Sequence, residues 1–175
     1  MQAIADEAGV HVQTIYLAYR TKAAVLAACA ARLVAGEEDP DTPPSERRWA
    51  RRIATELNIR RKLALYVKQI ATVAPRITLL IDVLRATSPA EPDVDAFLGE
   101  MERGRREGAL QLLGHGVPPG TWRPDLTPDM VADIASTLAS PDTLRWLTTR
   151  CGWQPAAAQR WIVAALEREL LPNTD

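Results

Sequence analysis

Histidine, cysteine and lysine are scarce in this 175-residue chain, which has two, two and three of them and a single phenylalanine. The chain offers no metal-spaced His/Cys/Glu cluster, and no Ser/His/Asp or Cys/His arrangement can be assembled from two histidines. A glycine-rich phosphate loop is also missing. The expectation is a protein that is not an enzyme and that takes no cofactor and no metal. Cys29 and Cys151 stand far apart and form neither a CxxC motif nor a disulfide framework. No apolar run reaches the roughly 18 residues that read as a membrane span. The N-terminus carries no signal-peptide pattern. A cytoplasmic protein without a membrane partner is therefore expected. Period-two alternation is absent and aromatic residues make up 5%, which argues against strands and for an all-α chain. The net charge is −1, so the molecule as a whole is no basic nucleic-acid binder, and any attraction to DNA must be local. The balance of 47% hydrophobic and 25% charged residues is that of an ordinary globular protein of one or two small domains.

What is present is concentrated near the start. Ile4, Ala5 and Ala8 give a short helix an inward face. Gly9 takes positive φ cheaply and ends it. Val10 and Ile15 pin a second helix, over residues 12–18, onto the first. Two short helices joined by a glycine turn make the helix-turn-helix unit that reads DNA. His11, Gln13, Thr14 and Leu17 point away from the apolar contact, and glutamine can pair bidentately with adenine. His11 either touches DNA or caps its own helix. Thr21 caps the next helix with Lys22 in its first turn, an arrangement suited to phosphate.

These residues resemble the DNA-binding domain of the tetracycline-repressor family, whose pattern runs I-A-x-x-A-G-V-x-x-x-T-x-Y-x-x-F-x-x-K-x-x-L. Here it stands as Ile4, Ala5, Ala8, Gly9, Val10, Thr14, Tyr16, Tyr19, Lys22 and Leu26. The resemblance implies backbone contacts to operator DNA from Thr14, Tyr16 and Lys22. Tyr19 takes the place of a core phenylalanine, and His11 that of a more usual capping serine. The DNA-contact set expected from residues and resemblance together is His11, Gln13, Thr14, Tyr16, Leu17, Thr21 and Lys22. The family has a further helix in front of this pair, which covers both. A truncated or miscalled start is expected, with loss of that helix as the other reading. Either way Ile4, Ala8, Ile15 and Tyr19 are expected to lack part of their cover.

The rest reads as helix. Residues 22–35 carry a stripe through Leu26, Ala30, Leu33 and Val34, and Gly36 stops it. Residues 37–44 are acidic and proline-rich and read as a linker between a head over 1–36 and a body over 45–175. In the body, one helix opens at Ser45 and carries Trp49, Ile53 and Leu57. Another covers residues 59–73, and Pro75 restarts a third through Leu84. A long one opens at Pro92 and ends at Gly114. Thr127-Pro128-Asp129 and Ser140-Pro141-Asp142 each combine a hydroxyl cap, a first-position proline and an acid in the first turn. Gln154-Pro155 opens the last helix.

The run Trp122-Arg123-Pro124-Asp125-Leu126, with Ser140-Pro141, Leu147, Gly152-Trp153, Trp161 and Leu166, resembles the C-terminal half of many actinobacterial-type members of the same family. That implies a helical regulatory domain that encloses a small-molecule effector and forms a homodimer through its last helices. The dimer face is expected on residues 127–139 and 155–171, through Ile134, Leu138, Trp161, Ala165 and Leu166. Trp49, Tyr66, Phe97, Met101, Trp122 and Trp146 are large side chains suited to an effector pocket, although most apolar positions must simply be core. His115 reads as a solvated turn residue and Cys29 as an inert buried thiol. The basic run Arg47, Arg48, Arg51, Arg52, Arg60, Arg61 and Lys62 reads as a solvated face rather than a DNA patch. The function implied is a ligand-responsive DNA-binding transcriptional regulator, a repressor released by a small apolar molecule. The other reading is a helical small-molecule-binding dimer that does not bind DNA.

Overall fold

The structure, a computed structural model, describes residues 1–172. The described residues are helical, with no strand. Nine α-helices follow one another among them: α1 (Gln2–Ala8), α2 (Val12–Tyr19), α3 (Lys22–Ala35), α4 (Arg48–Thr55), α5 (Ile59–Thr87), α6 (Pro92–Gly114), α7 (Pro128–Leu138), α8 (Pro141–Arg145) and α9 (Pro155–Leu170). None is long and apolar enough to cross a membrane.

The starts follow the capping chemistry. Thr21 Oγ1 accepts from the Ala24 N–H at 3.1 Å, Asn58 Oδ1 from Arg61 at 3.1 Å, Thr127 from Met130 at 3.2 Å and Ser140 from Thr143 at 3.0 Å. Pro92, Pro128, Pro141 and Pro155 open α6, α7, α8 and α9, where a missing N–H leaves no helix bond unmade.

The core lies along α5 in two parts. The first half of α5 packs with the end of α6 and with α7, α8 and α9 around Leu63, Val67, Leu113, Ile162 and Leu166. The second half packs with α3 and the start of α6 around Ala30, Ile77, Leu84, Val94 and Phe97. Helix α3 is thus as much part of the body as of the head. Helices α1, α2 and α4 stand outside both clusters, although α4 packs on α5 and α6.

Several expectations are corrected here. Pro75 does not restart a helix: α5 runs through it as one 29-residue element. An interior proline costs about 3 kcal/mol. Pro75 is exposed, however, and the buried stripe of Leu63, Tyr66 and Val67 continues beyond it as Ala74, Ile77 and Leu84. Burial on both sides outweighs the one lost hydrogen bond. Helix α4 stops at Thr55, because Glu56 is extended where the chain turns into α5, and Leu57 is left 82% exposed. Cys29 is exposed, not buried. It lies about 100° round α3 from Ala30, the buried centre of that helix. In the basic run, Arg48, Arg51, Arg52, Arg60 and Arg61 are exposed, but Arg47 and Lys62 are buried. Both find backbone carbonyls there. Arg47 donates to Thr42 O at 3.1 Å and Pro40 O at 3.2 Å, which fastens the 37–44 segment to the start of α4.

Ala165 and Leu166 cannot serve a partner chain. They face the chain's own core with Ala158 and Ile162, because this stripe of α9 packs on α5 and α7. Ile134 and Leu138 are half-buried against the same core. Trp161 is the exposed member of that set, and it meets Trp153 edge to face with ring centroids 6.0 Å apart.

Candidate functional site

Two features stand out, an exposed polar surface on the head and a cavity in the body. Gly9 holds the first turn, with φ +64° and its N–H closing onto α1. Ala5 is buried, Ile15 is half-buried, and Ala8, Val10 and Tyr19 are exposed. Helix α2 has no buried residue at all. The pair is held by Ala5, the Gly9 turn and part of Ile15, and Ile4, Ala8 and Tyr19 lack cover as expected. All seven residues anticipated at a DNA surface, His11, Gln13, Thr14, Tyr16, Leu17, Thr21 and Lys22, are exposed, Leu17 at 84%. They lie on α2 and at the start of α3. The His11 side chain makes no capping bond to α2, so the capping role falls away. Thr21 is the α3 cap. Lys22 is not free: its Nζ donates to Glu91 Oε1 at 2.6 Å, which ties the start of α3 to the start of α6.

Between α2 and α3 the backbone is strained. Arg20 has φ 54° and ψ −46°, and the Thr21 N–H closes onto the Tyr19 carbonyl around it. This is a left-handed γ-turn, rare for a residue with a side chain. Such conformations cost about 1–3 kcal/mol. Arg20→Gly is expected to raise stability by about 1 kcal/mol in urea denaturation, net of the flexibility glycine adds to the unfolded chain. A loss of stability would mean that the turn carries no strain.

The far end of α3 also needs a glycine. Gly36 has φ 66° and ψ −110°, and the Arg76 guanidinium of α5 lies where a Cβ would stand. Here the chain leaves α3 for the 37–44 segment.

The cavity has a volume of about 320 Å³. Its walls come from α3 (Ala30, Val34), α4 (Trp49), α5, α6 and the start of α8, and they are mostly aliphatic. Of the six large residues expected at a pocket, Trp49, Tyr66 and Met101 line it. Three do not. Phe97 is packed into the α3–α5–α6 cluster. Trp122 lines a separate cleft of about 390 Å³ between α6 and the 117–128 segment. Trp146 is 63% exposed, outside both. It begins the widened turn Trp146–Arg150, which continues α8 away from the cavity.

The polar groups of the cavity were not expected. Gln69, Arg85, Glu102, Arg105 and Asp142 all reach its wall. Arg85 makes a two-pronged bond to Asp142, at 3.0 and 2.7 Å, and lies 3.8 Å from Glu102. The Asp142 carboxyl is held below its ordinary value first by the Arg85 hydrogen bond. Arg105 donates to the Ser136 carbonyl, and no carboxylate pairs with it among the described residues. Trp49 Nε1 and Tyr66 Oη are buried without a hydrogen-bond partner among the described residues. Burial pushes the Tyr66 phenol up to about 12, against the pull of the Arg105 charge, so at neutral pH it keeps its proton as a donor. One signal in the sequence did mark this place. Gly104 and Gly108 stand one turn apart inside a long helix, where glycine weakens the helix and leaves room. Both line the cavity.

Nothing in the described residues gathers three or more His, Cys, Asp or Glu into a metal-holding group. Comparison of the chain with protein-family models, with curated proteins and with solved structures gives no match.

Proposed function

We propose that this chain is a ligand-responsive DNA-binding regulator of the tetracycline-repressor type. One observation carries the reading: a single helix, α3, bears the exposed head at its start and forms a wall of the cavity with Ala30 and Val34. An occupant that shifts α3 against α5 and α6 moves α2 with it. It can do so only through unequal affinity for two arrangements of α3. In this reading Gln13 and its neighbours on α2 meet base edges, and Lys22 meets a phosphate. Residues 1–36 hold Arg20, Lys22 and Arg32 against Asp6 and Glu7, a surplus of one positive charge in a chain of net −1. A homodimer sets two such heads about 34–36 Å apart. The exposed Trp153–Trp161 pair supports a contact between copies near the end of α8 and the start of α9.

The test is selection of bound sequences from random duplexes, followed by fluorescence-anisotropy titration over a range of salt. Enrichment of a two-fold symmetric site is the expected result. Lys22→Ala should reduce the slope of log affinity against log salt by about 1, and an unchanged slope removes Lys22 from the phosphate contacts. Glu91→Gln frees Lys22 from its ion pair and should strengthen binding modestly.

The second reading is a helical small-molecule binder that does not engage DNA. It is favoured by α2, which buries no residue and is weakly fixed for reading base edges. Failure to enrich any sequence, together with ligand binding by the body, selects it.

A further inference from the structure

We propose that the cavity takes an apolar carboxylic acid, with its carboxylate held by Trp49 Nε1–H, Tyr66 Oη–H and the Arg105 guanidinium. The proposal rests on the reading of the cavity as a ligand site and names the class of ligand.

The case starts from unmet bonding. Buried polar groups nearly always find partners, and each exception calls for an explanation. Two such exceptions, Trp49 Nε1 and Tyr66 Oη, belong to residues in the wall of one cavity, and they come from different helices. Indole is a donor only, and a protonated phenol offers an O–H. What both lack is an acceptor. The Arg105 guanidinium adds donors and a positive charge that no carboxylate pairs with among the described residues, although Asp142 lies near enough to feel it. A carboxylate offers about four acceptor positions and a negative charge, which suits all three groups together. A neutral carbonyl would leave the charge unmatched. A ligand cation would find its carboxylates, Glu102 and Asp142, already set against Arg85.

The remaining wall gives the other half of the ligand. Ile70, Val73, Ile77, Ile81, Leu98 and Leu112 offer only aliphatic surface. A volume of about 320 Å³ is at the small end for ligand cavities, so the apolar part is one or two rings or a medium chain.

The proposal is tested by calorimetric titration of the whole chain at neutral pH with naphthoate, acetylnaphthalene and ethylnaphthalene, which share a shape and differ in the head group. Decanoate serves as a second acid on a different scaffold. The expected order is acid over ketone over hydrocarbon, with at least a tenfold step to the ketone. Trp49→Phe and Tyr66→Phe should each weaken the preferred acid at least fivefold and leave the hydrocarbon unchanged. In Arg105→Met the acid should lose its advantage over the ketone, a ratio that a general loss of packing does not produce. Unliganded Tyr66→Phe should melt no lower than wild type, because its hydroxyl has no partner to lose.

Equal binding of hydrocarbon and acid overturns the carboxylate assignment and leaves the cavity reading standing. Failure of both acids with binding of the hydrocarbon does the same. Failure of every compound overturns both.

Discussion

Lys62→Met should lower the stability of this protein by about 3 kcal/mol, at roughly 1 kcal/mol for each of three part-buried carbonyls left without a donor. The side chain is 1% exposed, and its ammonium donates to three carbonyls: Ala54 at 3.1 Å, Leu112 at 3.3 Å and His115 at 2.6 Å. Ala54 lies in the last turn of α4, and Leu112 and His115 at the end of α6. Helix C-termini carry unpaired carbonyls and partial negative charge, so one buried cation serves two of them. Methionine keeps the stem and its packing and removes only the donors. For a chain of this size the melting point should fall by roughly 10 °C. Burial, as the larger influence, holds the ammonium below its ordinary 10.5, and Glu56 pulls the other way. Between the folded value and 10.5 the unfolded chain binds more protons. This residue therefore makes stability rise with pH in that window and leaves it flat at lower pH. Urea denaturation of both proteins across alkaline pH should show that rise in wild type and not in the variant. A loss below about 1 kcal/mol would mean that water or rearranged backbone serves the three carbonyls.

The same residue shows where the sequence stopped being legible. Lys62 closes a run of arginines at the start of α5, and composition alone places such a run on a solvated face. That held for five of the seven and failed for Arg47 and Lys62, because the carbonyls that receive them come from elements up to 53 residues away. Local signals were better served. The hydroxyl caps and first-position prolines marked the starts of α3, α6, α7, α8 and α9, because a cap is settled within one turn. Pro75 misled for the opposite reason: its local rule was overridden by burial along the whole of α5.

The site was legible by size and not by bonding. Trp49, Tyr66 and Met101 could be proposed for a pocket because large side chains must go somewhere. Phe97, Trp122 and Trp146 met the same criterion and went elsewhere. What distinguishes Trp49 and Tyr66 is an unmet hydrogen bond, which has no signature in a single sequence. Nothing in the sequence sets Arg105 apart from its neighbour Arg106, which pairs with Asp129 at 2.8 Å and with Asp133 on α7. The two look alike in sequence, yet only Arg106 forms ion pairs among the described residues. Ala165 and Leu166 show the same limit for the dimer face. An apolar stripe on a helix does not say whether its cover is intramolecular.

Gly108→Leu should stabilise the protein and, if the cavity is a ligand site, abolish ligand binding there. Gly108 lies within α6 and lines the cavity, and a Cβ built on it meets nothing within 4 Å. Glycine inside a helix costs about 1 kcal/mol relative to alanine or leucine. The substitution removes that cost and turns an aliphatic side chain into the space where a ligand would lie. Stability should rise by about 1 kcal/mol, and the melting point by a few degrees. Naphthoate and decanoate should no longer raise it further, although wild type at a hundredfold excess over Kd should gain about 2.7 kcal/mol. If α3 links the cavity to the head, the factor by which ligand alters DNA affinity, typically about 5–150-fold, should collapse to one, with DNA still bound. This separates the parts of the mechanism. A variant that binds DNA but ignores ligand places the signal in the cavity. A variant that still responds to ligand moves the ligand site elsewhere, with the 117–128 cleft the first place to look. Gain of stability with loss of response is the trade-off expected where space is kept for function.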